Sequence, residues 1–211
     1  SDLNAWVGLF AEFAECFNIK ADKNTLFSTL YQKAMEGDKD CGGMIACNYY
    51  SGEPVTGLEE GRPMFLRRPD SHLGLANFMR SHLYASLATL KIGLDILLKE
   101  EDVKIDSITG HGGLFKTKGV GQSILAAAMN APISVMETAG EGGAWGMALL
   151  AAYMLSKKDG QSLGDYLDSR VFAERKSETM EPDLADVAGF ETYTKQYQAC
   201  LAAEKAAVQA F

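Results

Sequence analysis

IDSITGHGGLFKTKGVGQSILAAAMNAPISVMETAGEGGAWGMALLAAY, residues 105–153, carries one pattern twice: a short apolar run, a glycine-rich turn, then an apolar stretch of helical length. The first strand is expected over 103–108, where Val103 and Ile105 alternate. The turn Gly110-His111-Gly112-Gly113 follows, and then a helix to about Met129. The second strand is expected over 132–136, followed by the turn Gly140-Glu141-Gly142-Gly143 and a helix over 144–155. Strands that alternate with helices through short connections pair in parallel. Both turns then lie at the carboxyl edge of one sheet, where open α/β sheets bind ligands. Glycine lets backbone N–H groups approach an anion, and a helix N-terminus adds partial positive charge. The two turns are therefore expected to face one phosphorylated ligand. The alternative is that the glycines serve only tight turns and close helix packing.

Two common phosphate signatures do not fit these turns. A loop of the form GxxxxGK[ST] starting at Gly110 fails, because its sixth position is Phe115. The dinucleotide pattern GxGxxG fails at its third glycine in both turns, at Phe115 and at Trp145. Lys116 is a candidate phosphate partner, and His111 could touch a phosphate or stack on a base. Glu137 and Glu141 beside the second turn read as helix-capping or loop-bonding acids, with metal contact the alternative.

The residues Gly112, Gly113 and Gln122 carry a resemblance. In the C-terminal domain of the FGGY carbohydrate kinases, which include xylulokinase, ribulokinase and glycerol kinase, a Gly-Gly turn after a strand holds the nucleotide. A Gln follows ten residues beyond its first glycine, the spacing found here. The strand-like PISVMET, the small-residue turn and the alanine-rich helix over 140–152 resemble that domain's next element. The likeness is strongest over 58–153. It departs at Ala126-Ala127, where many members carry an Ala-Asp pair.

The resemblance implies an α/β, ribonuclease H-like (actin-like ATPase) domain that is helix-rich. Residues 1–211 would be the nucleotide-binding C-terminal domain of a two-domain kinase, in part, with the N-terminal kinase domain outside this chain. It implies ATP-dependent phosphorylation of a sugar, a pentulose such as xylulose or ribulose, with ATP and Mg2+ required. The nucleotide-binding residues would be Gly110, His111, Gly112, Gly113, Lys116, Thr117, Gln122, Gly140, Gly142 and Gly143. Thr117 matches a position where the family often carries a polar residue near the nucleotide. The catalytic Asp and a phosphate-binding hairpin would come from upstream sequence, so the isolated chain is expected to be inactive. A non-catalytic nucleotide-binding or interaction module is the competing reading.

Composition narrows the partners. The chain has 211 residues, 47% of them hydrophobic and 23% charged, enough for a domain with a sizeable core. A net charge of −8 argues against nucleic acid and anionic membrane surfaces. The opening residues show no basic segment leading into an apolar run, and no apolar stretch is long enough to span a bilayer. Cys16, Cys41, Cys47 and Cys200 form no CxxC pair, and His72, His82 and His111 lack ligand-like spacing. Reduced thiols and a cytoplasmic location are expected, without zinc. A homodimer is left open.

Around the central stretch the reading is mostly helical. Asp2 is the expected cap of a first helix carrying Leu3, Trp6, Val7, Phe10 and Phe13 at helical spacing, and residues 25–35 form a second helix. Residues 44–50 and 64–66 read as short strands. The turn-rich 51–63 crosses the surface between them as a lid, a substrate wall or a connector. Arg62, Arg67 and Arg68 form a small basic cluster. Asp70 or Ser71 is expected to cap a long helix reaching Lys99, buried on two sides because Ile92 and Ile96 widen its apolar stripe. Residues 162–167 form a short helical turn, and a last helix starts at Glu181-Pro182-Asp183 with Phe190, Tyr193, Tyr197 and Leu201 on one face.

Overall fold

The computed structural model describes residues 1–105, 107–136, 142–173 and 177–210. Helices dominate: α1 (Asp2–Cys16), α2 (Lys23–Ala34), α3 (Leu75–Lys99), α4 (Val120–Met129), α5 (Gly142–Ser156), α6 (Leu163–Tyr166) and α7 (Leu184–Ala210). Between them lie β1 (Met44–Cys47), β2 (Met64–Arg67), β3 (Ile108–Gly110), β4 (Ile133–Met136) and β5 (Ser177–Met180). β1 and β2 form an antiparallel pair, and the order in the second sheet is β3-β4-β5.

The repeated unit of the sequence is present. β3 and β4 pair in parallel, with Ile108 opposite Ile133 and Gly110 opposite Val135. The carboxyl ends of both strands, at Gly110 and Met136, therefore point the same way. The first strand is shorter than expected. Val103 donates its N–H to Leu97 O at 3.1 Å, so it closes the end of α3 instead of joining the sheet. The helix after the first turn is also split. A 3-10 turn over Gly113–Lys116 ends before Gly119, whose φ of 80° breaks the helical path, and α4 starts one residue later.

β5 was not foreseen. It pairs antiparallel with β4, placing Met180 opposite Ile133. Its sequence, Ser-Glu-Thr-Met, has one apolar residue, so it shows no alternation to read. Two helix starts also differ from expectation. Asp2 lies inside α1, with Ser1 at the cap position. α3 begins after Gly74, not at Asp70 or Ser71. The reason for the second lies in residues 72–77: His72 donates its N–H to Gly42 O at 2.9 Å, and Asn77 Nδ2 donates to His72 O at 2.9 Å. These bonds hold the segment extended across the loop before β1.

The core lies where α3, α7 and β1 meet. All four residues of β1 are buried, as are Met79, Leu83 and Tyr84 of α3 and Phe190, Tyr193 and Tyr197 of α7. Arg80 is fully buried at its centre. Its Nε and Nη2 reach the Tyr84 hydroxyl at 3.1 and 2.9 Å, Nη2 also pairs with Asp186, and Nη1 faces the carbonyls of Ala34, Met35 and Gly37. Lys39 Nζ adds a second cation 2.7 Å from Asp186. α3 is not buried on two sides along its whole length: Leu90, Ile96 and Leu97 in its second half are exposed. The turn-rich segment 51–63 is tied down through Arg62, whose N–H donates to the buried Glu204 carboxylate of α7 at 2.5 Å. No helix among the described residues is long and apolar enough to cross a membrane.

Candidate functional site

The first glycine turn meets the start of α5, which Gly142 and Gly143 open as helical residues although the sequence places them in a turn ahead of a helix at Ala144. A Cβ built on Gly142 would lie 3.0 Å from His111 Nδ1 and 3.1 Å from His111 Cβ. Any side chain at position 142 would therefore push against the first turn. Gly140, Glu137 and Glu141 lie outside the described residues.

The other glycines divide by what surrounds them. Gly110 is buried, and a Cβ there would collide with the Phe115 ring, so this glycine serves packing. Gly121 does the same for α4, since its Cβ would stand 2.5 Å from Leu114 O. Around Gly112, Gly113 and Gly143 a Cβ would meet nothing within 4 Å among the described residues. Gly112 has φ 108°, a value an L-residue adopts only under strain, whereas Gly113 lies outside that region. Of Gly112, Gly113 and Gly143, only Gly112 has a positive φ that the backbone reserves for glycine. Gly113 faces open space among the described residues, and its backbone angles do not require glycine.

Open space continues from Gly113 into a cleft beside the turn of about 770 Å3. One wall is the turn itself, through Gly113, Leu114, Lys116 and Thr117. The opposite wall is α2, through Asn24, Thr25, Phe27, Ser28 and Tyr31, with Ser1, Leu3 and Asn4 at the start of α1 and Ser86 of α3 completing it. α2 is held in place by its cap: Asp22 accepts from the N–H groups of Asn24 and Thr25 at 3.0 and 3.1 Å. The volume suits a ligand of nucleotide size, and the lining combines two aromatic rings with short polar groups. Among the described residues it includes the Lys116 cation and no carboxylate. Mg2+ takes oxygen ligands, usually one or two carboxylates together with substrate phosphates. These walls do not fit a resident Mg2+.

A second cleft of about 540 Å3 lies on the other side of the turn, lined by Thr117, Lys118, Gly119, Gln122, Met136, Ser177 and Glu178 among others. It suits an anion less well. Lys118 Nζ already sits 3.2 Å from the Glu178 carboxylate, which would repel phosphate. Gln122 is committed as well: its Nε2 donates to Ile133 O and to Glu178 O, both at 2.7 Å. The side chain locks α4 onto β4 and β5, which leaves its amide group no donor for a ligand. His111 lines a third, mainly apolar hollow of about 370 Å3 beside β3 and α3.

Of the residues singled out in the sequence, Gly113, Lys116 and Thr117 thus share the large cleft, and His111 and Gly142 touch beside it. Gly110 and Gln122 have packing and hydrogen-bonding duties of their own. The α2 wall was missed. Asn24, Phe27, Ser28 and Tyr31 stand at i, i+3, i+4 and i+7, one face of a helix, and that spacing was the available signal.

Comparison with protein-family models matches residues 1–155 to the FGGY family of carbohydrate kinases, C-terminal domain. The chain belongs to this family, and the match reaches from α1 to α5, well beyond the 58–153 stretch that carries the visible likeness. Comparison with curated proteins gives no match. Among solved structures the chain is similar to a xylulose kinase from Rhodospirillum rubrum, at 18% identity and TM-score 0.59 over 84% of this chain and 33% of that one. It is similar to a gluconate kinase from Lactobacillus acidophilus, at 18% identity and TM-score 0.64 over 93% and 38% of the two chains. A Plasmodium falciparum glycerol kinase solved with ADP matches at 16% identity and TM-score 0.57 over 94% and 37%. At these identities the likeness is one of fold. The chain spans 33–38% of the length of these kinases.

Proposed function

We propose that this chain is the nucleotide-holding part of an ATP-dependent sugar kinase with a ribonuclease H-like, actin-like ATPase fold. We take residues 1–211 as part of its C-terminal domain. The observation that carries the reading is the 770 Å3 cleft, which joins the Gly113–Lys116 turn to the aromatic and polar face of α2. Membership of a carbohydrate kinase family, and a relative solved with ADP, support a nucleotide as its occupant.

The division of labour follows from the lining. Phosphoryl transfer needs positioning, charge stabilisation and a group that takes the proton of the attacking hydroxyl. Lys116 and the open backbone at Gly112 and Gly113 would hold the phosphate chain of ATP. His111, close to Gly142, would fix how near the first turn stands to the start of α5. The described residues lining the cleft include no carboxylate to accept the proton, so the base, the sugar and ligands for Mg2+ are assigned to polypeptide outside this chain. Closure of that part over the cleft would exclude water from the transferring phosphoryl group. Of the acceptors, a pentulose such as xylulose or ribulose is our choice.

The test is sugar-dependent release of ADP from ATP by the natural polypeptide that contains this chain. A panel of pentuloses, gluconate and glycerol separates the acceptors. Turnover with a pentulose is expected, and none from residues 1–211 alone. Absence of ADP release with every sugar would overturn the kinase reading, and release with gluconate or glycerol alone would overturn the choice of pentulose.

A further inference from the structure

Tyr31 is 6% exposed, yet it lines the 770 Å3 cleft. Its hydroxyl makes no hydrogen bond among the described residues, and it is not one of the unpartnered groups sealed from solvent, as the Tyr197 hydroxyl is. What little of the side chain is exposed therefore reaches the cleft. A buried hydroxyl without a partner carries a desolvation cost that phenylalanine at the same position would avoid. The ring is held by Phe27, edge to face, with centroids 5.6 Å apart. Burial pushes the Tyr31 phenol above its ordinary pKa, so the group stays a donor.

The neighbouring hydroxyls on α2 are already occupied. Thr25 Oγ1 donates to Asp22, and Ser28 Oγ donates to Thr25 O at 3.0 Å. The α2 residues that line the cleft are uncharged, and they include the Phe27 and Tyr31 rings and the Asn24 amide. The cation of the cleft, Lys116, stands on the opposite wall. A phosphate chain is drawn to that cation and to open backbone N–H groups, whereas a nucleobase needs apolar faces and a few hydrogen bonds at its edge.

We infer that the α2 wall receives the base end of the nucleotide, with the Tyr31 hydroxyl as the specificity-determining group that donates to the base edge. This rests on the nucleotide reading above and adds to it the orientation of the ligand. The phosphates run toward Gly113 and Lys116, and the base lies against α2.

The variant Tyr31→Phe removes one oxygen atom that makes no hydrogen bond among the described residues, so folding is expected to hold, with a melting temperature unchanged or slightly raised. Calorimetric titration of the full chain with Mg-ADP should then show binding weakened about fivefold to tenfold, the worth of one hydrogen bond. Titration with pyrophosphate, which has no base, should give the same affinity in parent and variant. Equal ADP affinity in the two proteins would overturn the inference. Equal weakening of ADP and pyrophosphate would also overturn it, by assigning Tyr31 to the phosphate end. A parent protein that gives no heat with ADP would instead remove the nucleotide reading itself, and the orientation with it.

Discussion

Arg80 and Tyr31 are both buried polar side chains, and they differ in where their partners are. All three guanidinium nitrogens of Arg80 find acceptors inside the chain, on α3, on α7 and at the end of α2. The Tyr31 hydroxyl finds none among the described residues and faces a cleft of about 770 Å3. The same division holds for glycines: Gly110 and Gly121 are crowded by Phe115 and Leu114, while Gly113 looks into open space. Satisfied groups and crowded glycines are explained by the fold. Open ones are explained by something the fold receives. The comparison separates residues whose loss should unfold the chain from residues whose loss should spare folding and weaken binding.

The largest effect is expected at the satisfied centre. Arg80→Met leaves Asp186 buried with Lys39 as its remaining cation, and three carbonyls facing no guanidinium. Breaking a buried pair on one side in this way should cost about 3 kcal/mol, read as a drop in denaturant midpoint. A variant as stable as the parent would mean that Lys39 alone satisfies Asp186.

Gly112→Val comes next. With φ at 108° a β-branched residue is strained, and about 1–3 kcal/mol should be lost from the fold, measured in the same way. Gly113→Val then sharpens the contrast one residue away. Its backbone lies outside the positive-φ region and its Cβ would meet nothing within 4 Å, so the midpoint should hold. The added methyl groups enter the cleft, and affinity for Mg-ADP should fall about tenfold, roughly 1.4 kcal/mol. Loss of stability without loss of affinity at position 113 would erase the distinction between the two glycines.

The smallest effect concerns Glu204. Burial raises its carboxyl above the usual range, against the opposing influence of the Arg62 N–H that its Oε1 accepts and the Arg62 charge. A carboxyl whose folded-state pKa exceeds its unfolded one binds its proton more tightly in the fold. Stability is therefore greatest below the ordinary carboxylate range and declines as pH rises through the raised folded value. Glu204→Gln, which stays neutral, should flatten that part of the pH–stability curve. An unchanged slope would assign the decline to other groups.

What could be read in advance followed from local chemistry. The parallel β3–β4 pair came from two apolar runs separated by helical patterns, and the first glycine turn from its composition, whereas Gly142 and Gly143 of the second belong to α5. β5 could not be read, because Ser-Glu-Thr-Met becomes a strand only by pairing with the edge of β4. The second half of α3 misled for the opposite reason. Leu90, Ile96 and Leu97 repeat at helical spacing as core residues do, yet they are exposed, since periodicity records an apolar face and not what covers it. The candidate site divides in the same way. The turn wall, with Gly113, Lys116 and Thr117, was visible as a motif. The α2 wall depends on a helix some 90 residues earlier folding back across the turn, and the commitment of Gln122 to Ile133 O and Glu178 O depends on β5.

The most direct test of the central claim is calorimetric titration of residues 1–211 with Mg-ADP, run beside thermal denaturation in the same buffer. The claim predicts saturable binding at one site per chain. At ADP concentrations about a hundredfold above the dissociation constant it predicts a gain of about 2.7 kcal/mol in stability, seen as a raised melting temperature. No heat of binding, together with an unmoved melting temperature at millimolar Mg-ADP, would contradict it. The open glycines and the Tyr31 hydroxyl would then face a cleft that holds no nucleotide.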